Sequence, residues 1–109
     1  MSKEIQLSDA NFNQSIADAK LPVIVDFWAP WCAPCRFVGP ILSELAEEKP
    51  DKLLVGKLNV DENPMVAGQY GVSAIPTMLV FKDGEMVDRL VGAMPKPMLE
   101  AALGKHIDL

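Results

Sequence analysis

The run Val23-Ile24-Val25-Asp26-Phe27-Trp28 constrains this chain more than any other stretch. It is apolar without alternation and rich in β-branched residues, the pattern of a strand covered on both faces. A strand of that kind needs helices above and below it, so the rest of the chain must supply them. The 109 residues are enough for one core and too few for two ordinary ones, so 1–109 reads as a single domain.

The flanking sequence supplies those helices in alternation with further strands. Ile5 and Leu7 alternate with polar residues and suggest a short first strand. Ser8 and Asp9 offer N-cap oxygens to a helix carrying Phe12, Ile16 and Ala19, which Leu21-Pro22 ends. After the loop Ala29-Pro30-Trp31, the positions Phe37, Ile41, Leu42, Leu45 and Ala46 recur at helical spacing and predict an amphipathic helix from Ala33 to Lys49. Pro40 lies inside it, so a kink is expected there. A second central strand covers 53–60. Asn63 as N-cap and Pro64 at the first helical position open a short helix that stops at Gly71. Two strands, 77–82 and 86–91, flank Asp83-Gly84, a strong hairpin signal. Pro95-Lys96-Pro97 starts a last helix bearing Met98, Leu99, Ala102 and Leu103, with Ile107 extending its apolar face. The order β-α-β-α-β-α-β-β-α gives an α/β fold: a mixed sheet of about five strands with four helices on both faces.

Composition narrows the function. A formal net charge of −5 argues against nucleic-acid partners and against anionic membrane surfaces. No stretch approaches the roughly 18 apolar residues that span a bilayer, and the first residues lack a signal-peptide core. The expectation is a cytoplasmic protein, without membrane attachment, acting as a monomer.

Both cysteines, Cys32 and Cys35, fall at the seam between the central strand and the following helix. In a reducing compartment a structural disulfide is disfavoured. Closing so small a loop also contributes only about 2 kcal/mol in the chain-entropy estimate. Residues at i and i+3 on a helix are close enough to bond or separate with little backbone movement, which suits reversible exchange. Cys32 belongs at or near the N-cap, where the helix dipole favours a thiolate, the nucleophile of exchange. Cys35, one turn deeper, is then the resolving thiol, and Pro34 sits where its missing N–H costs nothing. Structural zinc takes four ligands, and this chain offers one cysteine pair and a single histidine, His106; no metal and no cofactor is expected.

Asp26 interrupts the buried strand, and Lys57 interrupts its neighbour in the same way. A satisfied buried ion pair is one reading. The other is a carboxylate whose affinity for protons is raised by burial, able to take the proton from Cys35. Trp28 reads as core. Trp31, in the loop, reads as a cover over one side of the dithiol and a contact for substrate. Ile75-Pro76 reads as punctuation at a strand start.

Taken together, Val25-Asp26-Phe27-Trp28-Ala29-Pro30-Trp31-Cys32, Pro34-Cys35, Pro40, Lys57-Leu58-Asn59-Val60-Asp61, Ile75-Pro76-Thr77, Phe81-Lys82-Asp83-Gly84 and Val91-Gly92-Ala93 resemble the thioredoxin family over nearly the whole chain. The resemblance implies a thioredoxin fold and a general protein-disulfide reductase. It implies that Cys32 attacks, that Cys35 resolves, and that Asp26 with Lys57 manages protons. It implies a cis Pro76 facing the disulfide, with Trp31, Ile75, Pro76, Gly92 and Ala93 lining an apolar groove for an extended substrate segment. Its partners would be proteins carrying disulfides and a thioredoxin reductase. The family usually has glycine where this chain has Ala33, so Ala33 and Pro34 are the residues expected to tune redox poise. The other functions weighed were an oxidant or isomerase on the same fold, and a binding subunit whose dithiol is idle.

Overall fold

A computed structural model describes residues 4–109. Nine elements follow one another: β1 (Glu4–Leu7), α1 (Phe12–Asp18), β2 (Val23–Trp28), α2 (Ala33–Glu48), β3 (Leu54–Asn59), α3 (Pro64–Gln69), β4 (Thr77–Lys82), β5 (Glu85–Val91) and α4 (Lys96–Leu103). The strands form one sheet in the order β1-β3-β2-β4-β5. β1 and β2 both pair parallel to β3, while β4 is antiparallel to β2 and to β5. The apolar run is the central strand, as its lack of alternation predicts, and Val23 through Phe27 are all buried.

Alternation along the strands divides the core between two faces. Ile24, Val55, Met78 and Val80 face one way and pack with Val38, Leu42 and Leu45 of α2 and with Leu99 and Leu103 of α4. Val25, Phe27, Leu58 and Leu79 face the other way and pack with Phe12 and Ile16 of α1 and with Val66 of α3. The face bearing α2 also carries the register row Gln6–Lys57–Asp26–Met78. The two polar interruptions of the central strands therefore lie side by side beneath the helix that begins at the cysteines.

One local expectation is revised. Ser8 and Asp9 do not cap α1. Its N-cap residue is Asn11, whose side chain makes no cap hydrogen bond to the helix. Asn11 instead exchanges hydrogen bonds with Ser8 in the preceding turn: the Ser8 N–H donates to Asn11 Oδ1, and the Asn11 N–H donates to Ser8 Oγ. Asp9 caps a different helix. Its carboxylate accepts from the Met65 and Val66 N–H groups at the start of α3, at 3.1 and 2.9 Å. Asn63 stands at the N-cap of α3 without a cap bond, and its Oδ1 accepts from the Asp9 N–H. The orphan donors of a helix start are satisfied here across more than fifty residues of sequence, which local pattern reading does not detect. Pro40 lies inside α2, which runs from Ala33 to Glu48 as one element.

The hairpin matches its signal. Asp83 and Gly84 both have positive φ, 54° and 84°, and the loop joins Lys82 to Glu85, the geometry that Asp-Gly favours. A bulge between Val80 and Phe81 shifts the register of β5. No helix among the described residues is long and apolar enough to cross a membrane.

Candidate active site

Cys32 is the N-cap of α2 and Cys35 lies in its first turn. Their Cα atoms are 5.3 Å apart and the two sulfurs are joined as a disulfide. The backbone places them so for identifiable reasons. The β2 strand ends at Trp28, and the Cys32 N–H returns to the Ala29 carbonyl at 3.1 Å, closing the intervening turn. Arg36 reaches back from the helix and donates to the Pro30 carbonyl at 2.8 Å. Pro34 occupies an early helical position where no donor is missed.

Both cysteines are equally covered, at 4% exposure, so accessibility does not rank them. Helix position does. The Cys32 Sγ accepts a hydrogen bond from the Cys35 N–H at 3.2 Å, and it stands at the positive end of the helix dipole. Both features stabilise negative charge on that sulfur once the disulfide opens. Cys35 instead lines a cavity of about 500 Å³ whose wall also includes Asp26, Lys57, Glu4 and Trp28.

Asp26 is the most deeply buried charged side chain described, at 1% exposure. Its Oδ2 accepts from Lys57 Nζ at 3.1 Å, while Oδ1 has no partner among the described residues. Burial pushes its affinity for a proton up; the Lys57 charge and hydrogen bond oppose that, and Glu4 adds a further upward push. Lys57 is held from three sides. Besides Asp26 it donates to the Gly39 carbonyl at 3.0 Å and lies 3.4 Å from Glu4 Oε2. Glu4 in turn accepts from Ser43 Oγ at 2.6 Å.

The two tryptophans fall on opposite sides of the turn between β2 and α2. Trp28, expected in the core, is half-buried and packs against the cluster formed by Ala29, Cys32 and Cys35. Its indole N–H is buried without an acceptor among the described residues. Trp31 is 67% exposed and is tethered by its Nε1–H to the Asp61 carboxylate at 3.1 and 3.3 Å.

Ile75 packs against that same cluster, and the Ile75–Pro76 peptide is cis. The Pro76 carbonyl accepts from the Gly92 N–H at 2.8 Å, which ties the two loops together one step beyond the Thr77–Val91 pair. Gly92 has φ +93°, a conformation that a side chain would strain. Thr77 Oγ1 donates to the Ala74 carbonyl at 2.6 Å and steadies the turn before β4. Ala33, Pro34 and Ala93 are exposed around these groups. Among the described residues, no cluster of three or more His, Cys, Asp or Glu side chains could hold a metal.

Sequence reasoning missed Glu4, Ser43 and Asp61. The signal for Glu4 was present in the alternation of Glu4 and Gln6 against Ile5 and Leu7. Using it required knowing that β1 lies against β3, and strand order is not written in local pattern.

Comparison with known proteins agrees with this geometry. The family model described as Thioredoxin matches residues 3–105. Thioredoxin 1 of Synechococcus elongatus is 50% identical over 107 residues, covering 98% of this chain and 100% of the relative. Thioredoxin of Porphyra purpurea is 50% identical over 102 residues, covering 94% and 95%. Thioredoxin of Alicyclobacillus acidocaldarius is 55% identical over 97 residues, covering 89% and 91%. With a bonded Cys32–Cys35 pair at the head of α2 and such likeness along almost its whole length, the chain belongs to the thioredoxin family and is a thiol–disulfide oxidoreductase.

Proposed function

We propose that the chain is a general protein-disulfide reductase in which Cys32 attacks and Cys35 resolves. The observation that carries this is the asymmetry of the two sulfurs. Cys32 has the helix terminus and the Cys35 N–H to stabilise a thiolate, whereas Cys35 shares a cavity with Asp26. The Cys32 thiolate attacks one sulfur of a substrate disulfide. That bond breaks, and the other substrate sulfur leaves as a thiolate and is protonated by solvent. Cys35 then gives its thiol proton to the Asp26 carboxylate and attacks Cys32 Sγ. The mixed disulfide breaks and the second substrate sulfur leaves as a thiolate. Two electrons have passed from the dithiol to the substrate, and Cys32–Cys35 is left bonded.

Lys57 modulates Asp26 by holding it close to a positive charge. Trp31, Ile75, Pro76, Gly92 and Ala93 form the groove that receives an extended substrate segment, with backbone pairing at Ile75 in the manner of an added strand. Ala33 and Pro34 tune the balance between dithiol and disulfide. A thioredoxin reductase returns the electrons. The 109 residues act as one domain, as a monomer in the cytoplasm.

A trapping experiment tests the order of events. Cys35→Ser, reduced and mixed with a disulfide-bonded protein, accumulates a mixed disulfide through Cys32. A client caught instead on Cys35, in the Cys32→Ser variant only, overturns the assignment. Equilibration with a glutathione buffer tests direction. A potential well below the glutathione couple supports a reductant, and one well above it makes the chain an oxidant.

A further inference from the structure

Lys57 does not serve Asp26 alone. Its ammonium lies 3.1 Å from Asp26 Oδ2 and 3.4 Å from Glu4 Oε2, so one cation is shared by two carboxylates. Glu4 is on the edge strand β1, and it is not left to wander: Ser43 of α2 donates to the same Oε2 at 2.6 Å. The three groups form a gradient from inside to outside, with side-chain exposures of 1% for Asp26, 12% for Lys57 and 19% for Glu4. All three line the cavity that Cys35 also lines.

We infer that Glu4 is a positioning residue for proton transfer: fixed by Ser43, it draws the Lys57 ammonium part-way off Asp26 and so sets the pH at which Cys35 can be deprotonated. The inference rests on Asp26 being the proton acceptor, as proposed above. Its physical basis is competition. A cation divided between two anions stabilises each less than it would alone, and the second anion repels charge on the first. The ionised form of Asp26 is thereby made less favourable, and the carboxyl is kept ready to hold the proton that Cys35 releases. Glu4 does this without touching the sulfurs. The titratable or charged groups that line this cavity are Glu4 from β1, Asp26 from β2, Lys57 from β3, and Cys35 with Arg36 from α2.

The oxidised protein offers a clean measurement, because bonded cysteines do not titrate and Asp26 can be followed by the carbon resonance of its carboxyl group. Glu4→Gln moves the Asp26 midpoint to lower pH, Ser43→Ala moves it the same way by less, and Glu4→Asp stays near the parent. On the acid limb of the pH profile, where rate follows the ionised fraction of Asp26, mixed-disulfide resolution in Glu4→Gln runs about three- to tenfold faster. In an Asp26→Asn background the Glu4→Gln change has no such effect. An Asp26 midpoint that stays in place in both Glu4→Gln and Ser43→Ala overturns the inference. If the midpoint moves while resolution responds neither to Glu4→Gln nor to Asp26→Asn, the role of Asp26 as acceptor falls, and the inference falls with it by a distinguishable route. Ser43→Ala leaves β1 intact, so the test survives any effect of the Glu4 change on that strand.

Discussion

Among the described residues, two lysines each bridge a pair of carboxylates, and both reach α2. Lys57 joins Asp26 and Glu4 beneath the start of that helix. Lys96, at the head of α4, joins Glu44 and Glu48 near its end, at 2.5 and 2.7 Å. By distance the second arrangement is the tighter. Its hydrogen bonds with Glu44 and Glu48 hold Lys96 well above the usual lysine range, and the hydrogen bond from Lys96 is the first cause holding Glu44 below the usual carboxylate range. Yet the Lys96 group stands in water, where such pairs contribute little, while the looser Lys57 group is buried, where an imperfectly matched charge is costly. Surroundings rather than spacing decide which cluster can do chemistry. The buried carboxylate keeps an Oδ1 with no partner among the described residues and an affinity for protons raised by desolvation.

The largest effect is expected from Asp26→Asn. If Asp26 accepts the Cys35 proton, its loss slows resolution of a mixed disulfide by about a hundredfold, a typical general-base contribution. First attack by Cys32 is left nearly intact. Stability should move the opposite way. A carboxyl whose folded affinity for protons is raised keeps full stability below its unfolded value of 3.8, and loses stability as pH rises from there through its raised folded value. Asparagine does not ionise, so the variant gains over the parent at alkaline pH by about 1 kcal/mol or more, the scale of an under-partnered buried polar group. The gain disappears in acid. Denaturant midpoints across pH, read beside single-turnover kinetics, check both halves. A variant that is slower but no more stable at alkaline pH would contradict the burial argument.

Lys57→Met comes next. It removes the one hydrogen bond that the described residues give the Asp26 carboxylate. The ionised carboxylate then has no nearby cation, so the acid limb of resolution moves to higher pH. This is opposite in sign to the shift expected of Glu4→Gln. Breaking one half of a buried pair is strongly destabilising when the remaining charge cannot escape; here Asp26 can take up a proton. The expected loss is therefore about 1–3 kcal/mol at alkaline pH and less in acid. Equal losses at both ends of the pH range would mean that packing of the lysine stem, not charge, is what the substitution removes.

The central strand, the cysteine helix, the hairpin at Asp83-Gly84 and the pairing of Asp26 with Lys57 were legible because each depends on local pattern, or on two interruptions of neighbouring apolar runs. Asp9 was misjudged because its carboxylate caps α3, brought beside it only by the fold. Glu4 and Ser43 were overlooked for a related reason. One sits on an edge strand and the other on an amphipathic helix, and each looks like an ordinary solvent-facing residue until β1 is placed against β3. The roles of the tryptophans turned on which side of the β2–α2 turn each falls. Trp28 is the last residue of β2 and packs on the sulfurs, whereas Trp31 projects from the loop and binds Asp61.

The smallest effect belongs to Lys96→Met, and it is the sharpest test of the contrast between the two lysines. Removing Lys96 leaves Glu44 and Glu48 as like charges one turn apart on an exposed helix face, a mild repulsion that water and ions screen. Resolution of a mixed disulfide should be unchanged at every pH, since nothing in this cluster reaches the sulfurs. A small loss of stability at low ionic strength should vanish in about 1 M salt, where the screening length falls to roughly 3 Å. The effects of Lys57→Met should survive the same salt, because Asp26 is 1% exposed and buried charges are screened far less than exposed ones. Salt is thus the variable that separates two clusters drawn from the same residue types. If it erased the Lys57→Met shift as readily as the Lys96→Met loss, Asp26 would be in contact with bulk solvent, and burial could not be what raises its hold on a proton.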